Sequence, residues 1–274
     1  MDSDRNPYSP PTAALGLGPK PAQPEEAFPP DGDLAQALVG AIRLNAGAAV
    51  REGWARSRGR KRGVNIAFFL FSWIYGASMI VVTALTFALA GLNFTDLFDP
   101  MLTTQITAEL TSNGAYLAAA SLLTAPVNAL LYLSVWNVGL RLASGQEVRF
   151  ADTLPARAMG SAVLVMLCLA PLGMLPILHP TAGYLSLPVW MLTMWSLPLL
   201  LDRDIGVGEA LRTSFHLTRH NILAILGLGV ALLVGYFAAV ITCGIGLVWF
   251  LPVATGTLGS AWRQLAGLGR LAPE

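Results

Sequence analysis

Long runs of apolar positions alternate with short polar connections along this chain. Four stretches carry no charged residue, over 63–95, 110–140, 158–201 and 221–262. A helix rises about 1.5 Å per residue and the hydrocarbon core of a bilayer is about 30 Å thick, so one crossing takes about 20 apolar residues. The first two stretches hold one crossing each. The last two, at 44 and 42 residues, hold two each, and both carry turn formers near their middle: His179-Pro180-Thr181-Ala182-Gly183 and Cys243-Gly244-Ile245-Gly246. The pattern predicts six spans near 66–89, 115–138, 158–178, 183–201, 222–242 and 246–262. None shows the period-two alternation of a barrel strand, and lipid leaves no backbone group unpaired, so the expected fold is an all-α polytopic bundle of six transmembrane helices.

Ahead of the first span the pattern changes twice. Residues 1–31 hold eight prolines among charged and small residues and cannot bury a core, which predicts a disordered cytoplasmic tail. From Asp33, a helix cap with Gln36 three positions on, Leu34, Leu38, Val39, Ile42, Ala46, Val50 and Trp54 recur at helical spacing. This predicts an amphipathic basic cytoplasmic helix over 32–62. A membrane domain over 63–265 and a short cytoplasmic tail over 266–274 complete the organisation. The first 30 residues lack the apolar core of a cleavable signal, so span one is expected to direct insertion.

Composition agrees: 54% of residues are hydrophobic and 12% charged, far from the balance of a soluble domain. Charge then sets orientation, because Lys and Arg in short loops are retained in the cytoplasm. In the six-span arrangement none of the 17 basic residues lies outside. Arg51, Arg56, Arg58, Arg60, Lys61 and Arg62 precede span one. Arg141, Arg149 and Arg157 fill the second connection, Arg203, Arg212 and Arg219 the fourth, and Arg263 and Arg270 follow span six. The first connection has Asp96, Asp99 and Glu109 and no Lys or Arg. Both termini are therefore expected in the cytoplasm.

One segment recurs. Residues 47–58, GAAVREGWARSR, align without gaps on 208–219, GEALRTSFHLTR, with Gly47/Gly208, Ala49/Ala210, Arg51/Arg212 and Arg58/Arg219 identical. Trp54/Phe215 and Ser57/Thr218 are conservative pairs. Both copies precede a long apolar stretch, and Val148 to Arg157 holds the corresponding place before span three, which predicts three hairpins, each with a cytoplasmic prehelix. Basic and aromatic residues at such a place suit headgroups of anionic lipids or a protein partner. Arg51, Trp54, Arg58, Arg212, Phe215 and Arg219 are the candidate contacts.

Val138 to Leu265 carries Gly145-Gln146-Glu147-Val148, then Phe150-Ala151-Asp152, then Leu201-Asp202-Arg203-Asp204. Glu209-Ala210-Leu211-Arg212-Thr213-Ser214 and the Gly246 to Pro252 opening of span six follow. In these motifs the chain resembles a large group of uncharacterised bacterial integral membrane proteins and is similar to the membrane region of some glycerophosphodiester phosphodiesterases. The resemblance implies a multi-pass fold in a bacterial plasma (inner) membrane and brings no common activity. The soluble phosphodiesterase domain has no counterpart here.

Catalytic chemistry finds little to stand on. His216 and His220 share a helical face but lack the glutamate of a zinc-protease motif and lie beside Arg212 and Arg219. Ser78 lacks a histidine base within its expected depth, since His179 sits in an external turn. Cys168 and Cys243 fit packing positions rather than a disulfide framework or a metal CxxC. The expectation is no catalytic set, no metal, no cofactor and no nucleic acid. Asn128 and Asn137 are candidate intramembrane polar contacts. Small residues at Gly227, Ala231 and Gly235 and at Gly256 and Ser260 predict close approach of spans five and six, or of two protomers of a homo-oligomer. The leading expectation is a non-enzymatic organiser of membrane-protein partners or lipids. The alternative is a carrier or channel for a neutral or lipid-like solute, suggested by Pro126, Pro171, Pro176, Pro188, Pro198 and Pro252 interrupting spans.

Overall fold

Of the prolines expected to interrupt spans, Pro126, Pro171 and Pro252 lie inside helices that run on, and Pro198 follows a break. The computed structural model describes residues 30–89, 114–178, 184, 186–242 and 245–269. The tail through residue 29, the acidic first connection, His179 and Cys243 lie outside them. Among the described residues all regular structure is helical. The order is α1 (Leu34–Leu38), α2 (Ala46–Ser57), α3 (Lys61–Leu89), α4 (Gly114–Ala143), two 3-10 turns (Phe150–Thr153 and Ala156–Ala158), α5 (Met159–Leu178), α6 (Ser186–Thr193), α7 (Ser196–Asp202), α8 (Val207–Ile241) and α9 (Leu247–Ala266). Four segments are long and apolar enough to cross a membrane: Lys61–Thr86, Ala120–Ala143, Phe150–Pro171 and Val207–Ile241. These match expected spans one, two, three and five.

Lipid is the solvent these helices fit. On α3, Val64, Ala67, Phe68 and Phe71 pack against Val138 and Leu142 of α4 and against Val148. Phe69, Trp73, Ile80 and Val81 on its other side are exposed, as are Leu223, Val230, Val234 and Ile241 on α8. A helix apolar on both faces and covered on one is stable where its outer face meets hydrocarbon.

Expected span four is two short helices meeting at Met194 and Trp195. Pro198 has no N–H, and its ring crowds the carbonyl four residues back, that of Met194. The break is sealed from α8. The Ser214 hydroxyl donates to the Leu192 carbonyl (2.8 Å) and accepts from the Trp195 N–H (3.1 Å), and Thr218 donates to the Met191 carbonyl (3.2 Å). Pro252 inside α9 likewise leaves the Val248 carbonyl without its helical donor, and the Asn65 amide of α3 donates to it at 2.8 Å. Broken helices survive in a membrane only where neighbours re-satisfy the freed groups in this way.

The single helix expected over 32–62 is instead α1, a turn and α2. Asp33 caps α1 as expected, accepting from Ala35 N at 2.8 Å. The chain then turns at Gly40, whose φ of +77° is left-handed and over which the His220 ring packs. Leu44 N–H donates to Asn221 Oδ1 (2.8 Å), and Asn45 caps α2. Asn221 has left helical geometry inside α8, and its side-chain amide donates to the Leu217 carbonyl (3.0 Å). Docking onto this kink overrides the helical periodicity of the sequence. Val39, counted on the apolar face, is exposed.

At the centre three indoles meet, two from helices and one from the break between α6 and α7. Ring centroids of Trp136 (α4) and Trp195 lie 5.6 Å apart, and those of Trp195 and Trp262 (α9) lie 5.9 Å apart. Backbones approach closely on both sides of α9. A side chain on Gly53 of α2 would strike Thr257, and one on Gly259 would strike the Gly139 carbonyl of α4. The Gly256 stripe thus joins α9 to α2 rather than to α8. Of the other stripe, Gly227 faces open space and Gly235 faces the Phe250 ring of α9.

One contact departs from six crossings. Asn65, at the start of expected span one, touches Val248, at the start of expected span six. In that arrangement the two ends belong on opposite membrane surfaces.

Candidate functional site

The two segments that match in sequence are both helices with one buried and one exposed face. In α2, Ala49, Glu52, Gly53 and Ser57 are buried; in the first part of α8, Ala210, Ser214, Leu217 and Thr218 are. The six candidate contacts fall on the other side. Arg51, Arg58, Arg212 and Arg219 are exposed, with Trp54 and Phe215 at 44% and 43%. Side chains three and four apart share a helix face, which is why the small residues pack inward while the arginines and aromatics point out together.

The buried face of α2 holds a charge pair not anticipated from sequence. Glu52 is fully buried, and its Oε1 accepts from Arg56 Nε (2.6 Å), Arg263 Nε (2.9 Å) and Arg263 Nη2 (2.8 Å). Asp31 also pairs with Arg263. Burial works against the Arg263 charge, but hydrogen bonds and attraction from Glu52 and Asp31 outweigh it and hold the guanidinium pKa above its ordinary value. A second buried carboxylate, Asp202, accepts from Trp262 Nε1 (3.1 Å) and Gly269 N–H (3.0 Å) and pairs with Arg203 (3.3 Å). Both acids tie the C-terminal end of α9 to other elements, so their role is to hold the assembly together.

At the start of α3, Lys61 Nζ lies 3.9 Å from the Trp249 ring centroid and 5.1 Å from that of Trp54. Rings approached on their faces attract a cation and leave its N–H groups free for an anion. Lys61 has no carboxylate partner among the described residues. The two indoles form part of the wall of an apolar groove of about 320 Å³ between α2, α8 and α9.

Asn128 accepts from the Tyr75 hydroxyl of α3 at 3.4 Å and, with Ser121, Thr124 and Tyr132, lines a cavity of about 170 Å³ between α4, α5 and α6. Asn137 is separate from it: its amide donates to the Asp152 carbonyl (2.7 Å) in the turn before α5, beside the Arg141–Asp152 ion pair at 3.1 Å. His216 meets Phe215 edge-on, and His220 covers Gly40. Ser78 donates to the Ile74 carbonyl of its own helix (2.8 Å).

Sequence reasoning missed Glu52, Asp202, Lys61, Asn65, Ser214, Thr218 and Asn221. Asp202, Ser214, Thr218 and Lys61 stand in motifs read from the sequence, but nothing there signals the contacts they make. Comparison with protein-family models, with curated proteins and with solved structures finds no match to this chain.

Proposed function

We propose that this chain is a non-enzymatic, multi-pass protein of a bacterial plasma membrane, with both termini cytoplasmic, that gathers anionic lipids or a protein partner on its prehelices. The carrying observation is that Arg51, Trp54, Arg58, Arg212, Phe215 and Arg219 all stand exposed while the opposite faces of the same two helices are packed away. The basic residues support the orientation: Arg51 to Arg62 gather before the first long apolar stretch, and Arg141, Arg149 and Arg157 follow the second. The prehelices support a chain of three hairpin units. The matching segments α2 and 207–218 each precede a long apolar helix, and each packs on an earlier or later unit rather than its own. The turn before α5 packs similarly on α4.

Each Lys or Arg near an anionic surface contributes about 1 kcal/mol. The variant R51A/R58A/R212A/R219A, reconstituted into nanodiscs mixing phosphatidylglycerol and phosphatidylcholine, is expected to lose its enrichment of phosphatidylglycerol and any protein copurified with the native chain. Lipid enrichment and partner recovery equal to the native chain would refute the reading.

A further inference from the structure

The groove between α2, α8 and α9 has the chemistry of a single-lipid site. Its walls are apolar or small, with Val50 and Trp54 from α2, Ala231 and Gly235 from α8, and Trp249 and Phe250 from α9. Gly235 lets the Phe250 ring lie close against α8, since a Cβ there would press on that ring at 3.0 Å. The Lys61 ammonium sits on both Trp rings of the wall, and Arg58 and Arg62 beside it in sequence are exposed. The Lys61 cation therefore stands against the wall of an apolar groove, with two further basic residues close by in the chain. Aromatic rings whose faces hold a cation and whose edges reach hydrocarbon occur where headgroups meet acyl chains.

We infer that this groove binds one anionic phospholipid, with its phosphate on Lys61 and one acyl chain between α8 and α9. A free phosphate would have no use for the apolar walls, and a zwitterionic lipid gains less from Lys61 and its basic neighbours. Water in an apolar groove has too few polar partners to compete. The proposal deepens the lipid reading above by naming a site, and it rests on that reading only in placing Lys61 at an anionic membrane surface. Of the four arginines tested there only Arg58 neighbours Lys61 in the chain, and none lines the groove.

The test is native mass spectrometry of the full chain, delipidated and titrated with phosphatidylglycerol or phosphatidylcholine. One phosphatidylglycerol is expected to stay bound through activation that strips the rest. Lys61→Gln is expected to weaken it about fivefold, the equivalent of one surface cation. Ala238→Trp, which fills the groove from an exposed position on α8, is expected to abolish it. Phosphatidylglycerol bearing brominated chains should quench Trp fluorescence less in Trp249→Phe than in the native chain. Equal retention of the two lipids, or tight retention that survives Ala238→Trp, overturns the proposal. Loss of enrichment in the four-arginine variant with the tight lipid unaffected by Ala238→Trp would sink this site and leave the broader reading standing.

Discussion

Ser214 shows how a single hydroxyl holds a broken span. It accepts from the Trp195 N–H and donates to the Leu192 carbonyl, while Thr218 takes the Met191 carbonyl, so three backbone groups depend on two side chains. Leaving a buried backbone group unsatisfied costs about 1–3 kcal/mol. Ser214→Ala with Thr218→Val is therefore expected to lower stability by about 2–5 kcal/mol, read as a fall in Tm. Pro198→Ala lets the helix run through the break, so that the Ser196 and Trp195 N–H groups can reach the Leu192 and Met191 carbonyls. In that background the same pair should cost clearly less. A double-mutant cycle showing strict additivity would mean the hydroxyls serve some other purpose. Asn65 and Val248 make the same arrangement at Pro252, with partners 183 residues apart in the chain. Such pairs are illegible in a sequence, because a proline announces which carbonyl is freed and says nothing about which helix will answer it.

At the scale of elements, apolar length was legible and depth was not. The stretches at 66–89, 115–138, 158–178 and 222–242 hold long helices because length and hydropathy alone decide them. Span four was legible as an apolar stretch, but its break needed Pro198 weighed against the helix before it. The helix over 32–62 looked continuous because periodicity cannot see His220 over Gly40 or Asn221 on Leu44. The exposed candidate residues on α2 were legible, since basic and aromatic residues at helical spacing define a face; Glu52 was hidden because its partner Arg263 lies on α9.

The clearest difference concerns α8 and α9. Arg157 and Asp204 pair at 3.1 Å beside the starts of α5 and α8, and Arg60 donates to the Gly145 carbonyl (2.7 Å) between the start of α3 and the end of α4. These contacts gather the basic connections at one end of the bundle. The Val248 contact with Asn65 brings the α8–α9 turn back to that same end. The turn is thus expected to be closed to the outside. A cysteine at Ile245, in a chain with Cys168→Ser and Cys243→Ser, should resist an impermeant maleimide added to intact cells and react once they are opened. Thr95→Cys, in the connection expected to be external, serves as the positive control. Labelling of both positions from outside would restore six full crossings.

Over the whole molecule, the packing runs in a ring rather than along a line. The N-terminal arm returns to the far end of the chain, with Gly32 N–H donating to the Arg263 carbonyl at 2.8 Å and α2 lying against α9. Residues 30 and 269 can therefore be joined by a short linker and the chain reopened between Gly145 and Gln146, in an existing connection on the same end. This permutant is expected to insert and reach a Tm within several degrees of the native chain. Aggregation of it, with a linker varied in length, would show that the arm docks only when residue 30 is not tied to the end of α9. The indoles of Trp136, Trp195 and Trp262 offer a way to watch that ring close. They come from positions far apart in the chain, so no isolated segment can bring them together. Electronic coupling between such near rings gives circular dichroism in the near ultraviolet that one indole alone lacks. The molecule carries an optical gauge of its own assembly, silent until distant helices have met.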